Sequence, residues 1–250
     1  FNERITTRLD VFLDEVKHAK QLNLYRSVTE YVRKGFNGAK RNKNKATGLI
    51  MILFQRLVSS STAAILSAMQ GRLERLRNGE IDNVSAYESE ISAYEEIEES
   101  LEFEGIYQSD HSTIEDEEAI LVSLIEMAQD CLSNEEDAKS SVLIQKIQEL
   151  QQHNQEPNLK FLVFTEFRTT QAMLKDFLER KGYQCETING SQDIDERKRA
   201  LVNFKNKSQI LIATDAAGES LNMQFCHIIF NYDLPWNPMM IEQRIGRVDR

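Results

Sequence analysis

Two hydrophobic rhythms divide the chain. Up to residue 156 the apolar positions recur at intervals of three and four and no proline interrupts them, which predicts mostly α-helix. Leu22, Tyr25, Val28 and Val32 share one helical face. Ile65, Met69, Leu73 and Leu76 share another, closed by the Asn78-Gly79 pair. Val84, Tyr87, Ile91 and Tyr94 predict an acidic helix, and further helices are expected over 120–132 and 142–152. Leu49–Phe54 is apolar on every side, which suits a buried helix running on to Val58 and also suits a strand. The alternation of Leu9, Val11 and Leu13 predicts a lone strand over 4–13.

After Pro157 the rhythm changes. Phe161–Phe164, Tyr183–Ile188, Ser208–Ala213 and Cys226–Phe230 are short apolar runs that predict strands. Amphipathic segments over 170–181, ended by Gly182, and over 193–204 predict helices, and a last helix starts near Pro238. Strands apolar along their length, alternating with helices, are the pattern of a parallel sheet covered on both faces. The expected class is therefore α/β: a mostly helical region over 1–150, then a doubly covered sheet over 151–250. The join is expected in the polar stretch 151–158.

Composition narrows the classes. Of 250 residues, 41% are hydrophobic and 28% charged, enough apolar material for a sizeable core, which excludes collagen-like and wholly disordered chains. The longest apolar run, Leu49–Phe54, falls far short of the ~20 residues of a membrane span. The chain opens at Phe1 with no basic-then-apolar leader, as expected of a piece of a longer protein. Cys131, Cys185 and Cys226 are odd in number and far apart, which argues against a disulfide framework or zinc knuckle and suits a reducing cytoplasm.

The net charge of -10 conceals a strong asymmetry. Residues 1–79 carry 15 basic against 6 acidic side chains, residues 80–150 carry 2 against 21, and residues 151–250 carry 13 of each. An acidic total does not exclude a polyanionic partner, because charge is felt locally. Arg33, Lys34, Lys40, Arg41, Lys43 and Lys45 place six cations and no acid across 33–45, which suits either duplex phosphates or a solvated interhelical turn. The acidic stretch 80–150 reads as solvated helix, with a docking surface for a basic partner as the sharper alternative. Asp116-Glu-Glu-Ala119 has no apolar strand before it and reads as a solvated helix start.

The chemistry concentrates at the end of the chain. On a helix, Arg247 and Arg250 share a face, and Gln243 lies one turn before Arg247. Two guanidiniums and an amide suit the charge of a phosphoryl group in transfer; arginines complementing a helix dipole explain the same spacing equally well.

At this point the chain resembles a family. Gln243-Arg-Ile-Gly-Arg-x-x-Arg250, preceded by Trp236-Asn-Pro238, is similar to the last signature of the Swi/Snf-type superfamily-two DNA translocases, in their RapA-like bacterial and archaeal branch. Phe161–Phe167, Asn189-Gly-Ser191 with Arg197 and Phe204, and Ala213–Asn222 are similar to that family's preceding blocks, in the same order. Leu24–Val32 more weakly resembles the helical region such proteins insert between their motor lobes.

The resemblance implies two RecA-like lobes clamping ATP and Mg2+, of which this chain matches the second. No Gly-x-x-x-x-Gly-Lys-Ser/Thr occurs, so the fragment alone is expected not to hydrolyse ATP. The resemblance makes Arg247 and Arg250 arginine fingers, lines the nucleotide cleft with Gln243, and has Arg244 support that cleft or link it to the preceding lobe. It gives Thr165 and Thr214 to DNA phosphates, Gly218 to close approach of the strand, and Asp215 to coupling nucleotide with DNA. Two departures from the family are Asp215, where many eukaryotic remodellers carry a basic residue, and Ser220 in place of a common Gly. The partners implied are double-stranded DNA and the first lobe, and no membrane. Two alternatives stand beside this reading. One is a strand-separating helicase, against which Gln243 (usually His there) and Trp236-Asn-Pro238 speak. The other is a helical module that binds a protein such as RNA polymerase.

Overall fold

The computed structural model describes residues 5–42, 45–79, 116–215, 223–235 and 237–248, and of 41, 42, 45 and 46 the backbone alone. The predicted helix around 84–94 lies outside these residues.

The N-terminal region is helical, as its periodicity predicts. It comprises α1 (Ala19–Asn42), α2 (Lys45–Ser60), α3 (Thr62–Asn78) and α4 (Glu117–Asn134). Leu49–Phe54 lies in α2, where Leu49, Ile50, Met51, Leu53, Phe54 and Leu57 are all buried, so the helical alternative holds. In α1 the buried stripe is Leu24, Val28 and Tyr31, with Leu22 and Tyr25 only half-buried at its margin. Ser61 separates α2 from α3: its extended backbone stops one helix, and its side chain caps the next by accepting from Ala64 N at 3.1 Å. Gly79 ends α3 at φ 76°, donating to the carbonyls of Arg75 and Leu76. Residues 5–14 carry no strand; a predicted edge has no partner there, and Ile5, Leu9, Val11 and Phe12 stay exposed.

The start of α4 departs from expectation. Glu117 is buried rather than solvated, because Arg72 of α3 pairs with it (Nε–Oε1 3.0 Å) and Tyr31 of α1 donates its hydroxyl at 2.7 Å. A charge buried this deeply needs such partners.

The rest of the chain is the expected sheet. Strands β1 (Phe161–Phe164), β2 (Cys185–Ile188), β3 (Ile210–Ala213) and β4 (Ile228–Asn231) form one parallel sheet in the order β2-β3-β1-β4. Alternate residues of each strand serve opposite faces. Phe161, Val163, Ile210 and Ile212 pack under α5 (Ala138–Asn154) and α6 (Arg168–Arg180). Leu162, Phe164, Leu211 and Ala213 pack against α7 (Ile194–Asn206). A short α8 (Met239–Ile245) closes the described chain.

One boundary shifts. Leu143, Ile144 and Ile147 of α5 belong to the sheet's core, so this helix goes with the lobe rather than with the helical region before residue 151. Conversely Phe167, just beyond β1, is inserted among the buried side chains of α1–α4. The two regions are stitched together at the carboxyl end of β1.

Candidate functional site: the carboxyl rim of the sheet

Register aligns the strand ends. Ile188 pairs with Ala213, Ala213 with Phe164, and Phe164 with Asn231, so the chain leaves all four strands in one row. Open parallel sheets bind ligands beyond this edge. Here the emerging residues are Asn189, Thr214-Asp215, Thr165-Glu166 and Tyr232-Asp233. Hydroxyls and carboxylates thus line the rim by topology alone.

Each rim carboxylate is held by a cation. Asp215 receives Arg244 in a two-pronged pair, with Nε to Oδ1 at 2.7 Å and Nη2 to Oδ2. Arg244 also donates from Nη1 to Asn231 Oδ1 at 2.8 Å and to the Asp233 carbonyl at 3.0 Å. It is fully buried, its guanidinium 4.9 Å from the centroid of Phe164. Asp233 accepts Lys139 Nζ at 2.7 Å. Glu166 pairs with Arg56 of α2. Burial pushes Glu166 up to about 7, helped by the nearby Asp233 and Asp215 charges and opposed by Arg56.

The predicted site residues fall into three groups. Gln243 is exposed on α8, and Arg247 is half-buried just past it, its guanidinium 5.7 Å from the Phe164 centroid. Arg247, Arg244 and Asp215 are brought together at the rim, around Phe164. Arg244 and Asp215 are directed at each other, inside the lobe, rather than toward a ligand or another lobe. Thr165 is fully buried and donates to Asp233 Oδ2 at 2.5 Å, so in this structure it faces the interior rather than a phosphate backbone. Thr214 is also fully buried, yet its hydroxyl has no hydrogen-bond partner among the described residues. Lys40 is exposed near the end of α1, and Lys34 on the same helix pairs with Glu30 at 3.1 Å. Arg250, Gly218, Ser220, Trp236 and Lys43, and the side chain of Arg41, lie outside the described residues.

Residues that sequence reading missed supply much of the rim. Glu166 and Asp233 sat inside the recognised segments without being singled out. Arg56 had a visible signal, a cation within the apolar stretch of α2. Gln171 of α6 had none: it donates to the carbonyls of Ile188 at 2.9 Å and Ile212 at 2.8 Å, and accepts from Asn189 Nδ2 at 2.8 Å. It thereby clips two strand ends to the Asn189-Gly-Ser191 turn.

Donors rather than metal ligands are what the rim offers. Gln243 and Arg247 suit the oxygens of a phosphate chain, so the residues fit a nucleotide's phosphates. The three carboxylates are occupied by cations, and among the described residues no group of three or more His, Cys, Asp or Glu could hold a metal ion.

A four-stranded parallel sheet of this order, with helices packed on both faces, is the fold in which the rim residues are set. The helicase conserved C-terminal domain family matches residues 139–250. An ATP-dependent helicase of Bacillus subtilis, YqhH, itself uncharacterized, is 40% identical over 119 residues, 44% of this chain and 21% of that protein. The RNA polymerase-associated protein RapA of Vibrio atlanticus is 34% identical over 118 residues, 46% of this chain and 12% of that protein. The match thus spans about a fifth or less of these relatives' length. Among solved structures, the Pyrococcus furiosus Hef helicase domain aligns with 93% of this chain and 50% of its own, at TM-score 0.51 and 16% identity. The C-terminal part of the Fun30 ATPase domain aligns with 93% of this chain and 77% of its own, at TM-score 0.51 and 17% identity. These two likenesses establish the fold. Among the described residues no helix is long and apolar enough to cross a membrane.

Proposed function

We propose that residues 139–250 are the second motor lobe of an ATP-driven double-stranded-DNA translocase, with α1–α4 as a helical insertion fixed to it. The observation that carries this reading is the clamp on α8. Arg244 is committed inside the lobe by Asp215, Asn231 and the Asp233 carbonyl, which leaves Gln243 and Arg247 at the rim where a second nucleotide-binding wall would close. ATP supplies a phosphoryl group whose transfer to water builds negative charge. Arg247, joined by Arg250, would neutralise that charge as it grows, an effect worth orders of magnitude in rate. Mg2+ and the phosphate-cradling loop would come from the first lobe, so this chain alone would not hydrolyse ATP.

On the same rim the Thr214 hydroxyl is the donor left for a DNA phosphate, with Gly218 allowing the strand to approach. Thr165 supports the loop by holding Asp233. Contacts to backbone rather than base edges would make tracking indifferent to sequence. Lys40, Arg41 and Lys43 would add a second, salt-sensitive contact. The test is DNA-stimulated ATP hydrolysis by the full-length protein carrying Arg247→Ala. A loss of at least 100-fold is expected from removing such a group, and turnover near wild type would remove the assignment.

A second reading has the helical region docking a protein, favoured by the relatives named RNA polymerase-associated. Binding to RNA polymerase that survives high salt while DNA binding is lost would select it.

A further inference from the structure

The helical region meets the rim at Glu166, through Arg56, and above all at Asp233. Asp233, only 7% exposed, gathers donors from three elements. Lys139 at the start of α5 reaches Oδ1 at 2.7 Å, and Ser60, the last residue of α2, reaches Oδ2 at 2.8 Å. Thr165, after β1, reaches the same oxygen at 2.5 Å. The main-chain carbonyl of Asp233 in turn accepts from Arg244 at 3.0 Å. One residue therefore holds α2 with its side chain and the arginine helix with its backbone.

The neighbouring contacts repeat the same connection. Arg56, one turn before Ser60 on α2, pairs with Glu166 and donates to the carbonyl of Leu234, next to Asp233, at 3.2 Å. Ser60 and Ser61 each lie 2.8 Å from the Thr170 hydroxyl on α6. The break between α2 and α3 is thus bolted to the segment that leads from β4 into α8. Buried polar networks of this kind have few satisfied arrangements, because a partner left unmade inside the protein is costly. A tilt of α2 that moves Ser60 and Arg56 has to move Asp233 and Leu234, or break those bonds.

We propose that Asp233 is a positioning residue through which the α2–α3 break sets the placement of α8, and with it Gln243 and Arg247. The helical region is then an input to the motor: a partner that shifts α2 changes how the arginines are presented. The inference rests on the motor-lobe reading for its catalytic consequence, but its structural part is measurable without ATP.

The experiment weakens the junction from both sides, using the full-length protein with Ser60→Ala on the helical side, Lys139→Met on the lobe side and, as rescue, Lys139→Arg. Amide hydrogen exchange over 239–248 is read without nucleotide, and DNA-stimulated ATP hydrolysis is read beside it. Each weakening variant is expected to speed exchange over 239–248 by about three- to thirty-fold and to lower kcat by a similar factor, as coupling through a packed network allows. KM for ATP should stay within about two-fold, since what changes is placement in the transition state. Lys139→Arg should recover most of both. Lys146→Ala, which removes only the exposed Lys146–Glu149 pair on α5, is the control and should change neither. Ser60→Ala removes no charge, so it keeps the test alive where Lys139→Met fails to fold. Unchanged exchange and kcat in Ser60→Ala, or equal losses across the whole chain with no excess over 239–248, would overturn the inference. Altered exchange together with full activity in Arg247→Ala would sink the motor-lobe reading while leaving the mechanical link standing.

Discussion

Asp215 and Arg244 form a two-pronged ion pair that neither residue exposes to solvent, with the guanidinium lying against the ring of Phe164. The pair joins the end of β3 to α8 across 29 residues of sequence. Breaking one side of such a pair leaves a buried charge without its counterpart. Arg244→Met alone should destabilise the chain by about 3–5 kcal/mol, whereas the double change with Asp215→Asn should recover a substantial part. Urea unfolding of the two single variants and the double variant checks this; additive losses would show that the pair contributes no coupling.

Glu166 makes stability depend on pH in an unusual direction. Its folded carboxyl holds a proton up to about 7, against an ordinary value of 4.5. Between those values the unfolded chain binds fewer protons than the folded one, so stability falls as pH rises through the window. The melting temperature should therefore drop between about pH 5 and pH 7.5, by roughly 2–4 °C for each kcal/mol lost in a chain of this size. Glu166→Gln should flatten that slope. A melting temperature that rises over the same range in wild type, with the same rise in the variant, would contradict the assignment.

Tyr31, Arg72 and Glu117 tie α1, α3 and α4 together inside the helical region. Tyr31→Phe removes one donor to a buried carboxylate and should cost about 1.5–3 kcal/mol, the range for hydrogen bonds to charged groups. Arg72→Met strips Glu117 of its cation and should cost more, about 3–5 kcal/mol. Calorimetry that ranks the two the other way would show that the hydroxyl, not the guanidinium, keeps Glu117 buried.

Gln171 should matter more than a surface-helix glutamine would. Replacing it with Leu leaves the carbonyls of Ile188 and Ile212 without its two donors, for a loss of about 2 kcal/mol. The freed Asn189-Gly-Ser191 turn should also exchange its amides faster. Unfolding free energy and local hydrogen exchange measure the two effects separately, and an unchanged turn would assign Gln171 to the strands alone.

Local pattern carried most of the elements. The three-four spacing of Ile65, Met69, Leu73 and Leu76 marked α3 and its glycine stop, and the apolar runs marked every strand of the sheet. The pattern failed where an element's partner is remote. Leu9, Val11 and Leu13 alternate like a strand, but alternation says only that two faces differ, and among the described residues no neighbouring strand completes the ladder. Glu117 sits in a charged stretch that looks solvated, and only the approach of Arg72 from 45 residues away explains its burial. At the rim, the spacing of the arginines left a phosphate site and a helix-dipole role equally open, the family resemblance singled out the motif, and which arginine turns inward was not legible.

The sequence by itself determined the alternation of helix and strand and the parallel sheet, and its motifs pointed to the likeness that the family match over 139–250 reports, because periodicity and motif spacing are local properties of the chain. Only the tertiary structure decided that Thr165 turns in to Asp233 while Thr214 lies buried without a partner among the described residues, and that α5 joins the lobe. The helical region's attachment through Ser60, Arg56 and Lys139 was settled there too. Those outcomes depend on which buried charges and hydroxyls meet after distant segments pack, and the penalty for leaving a polar group unpaired in the interior is paid only once that interior exists.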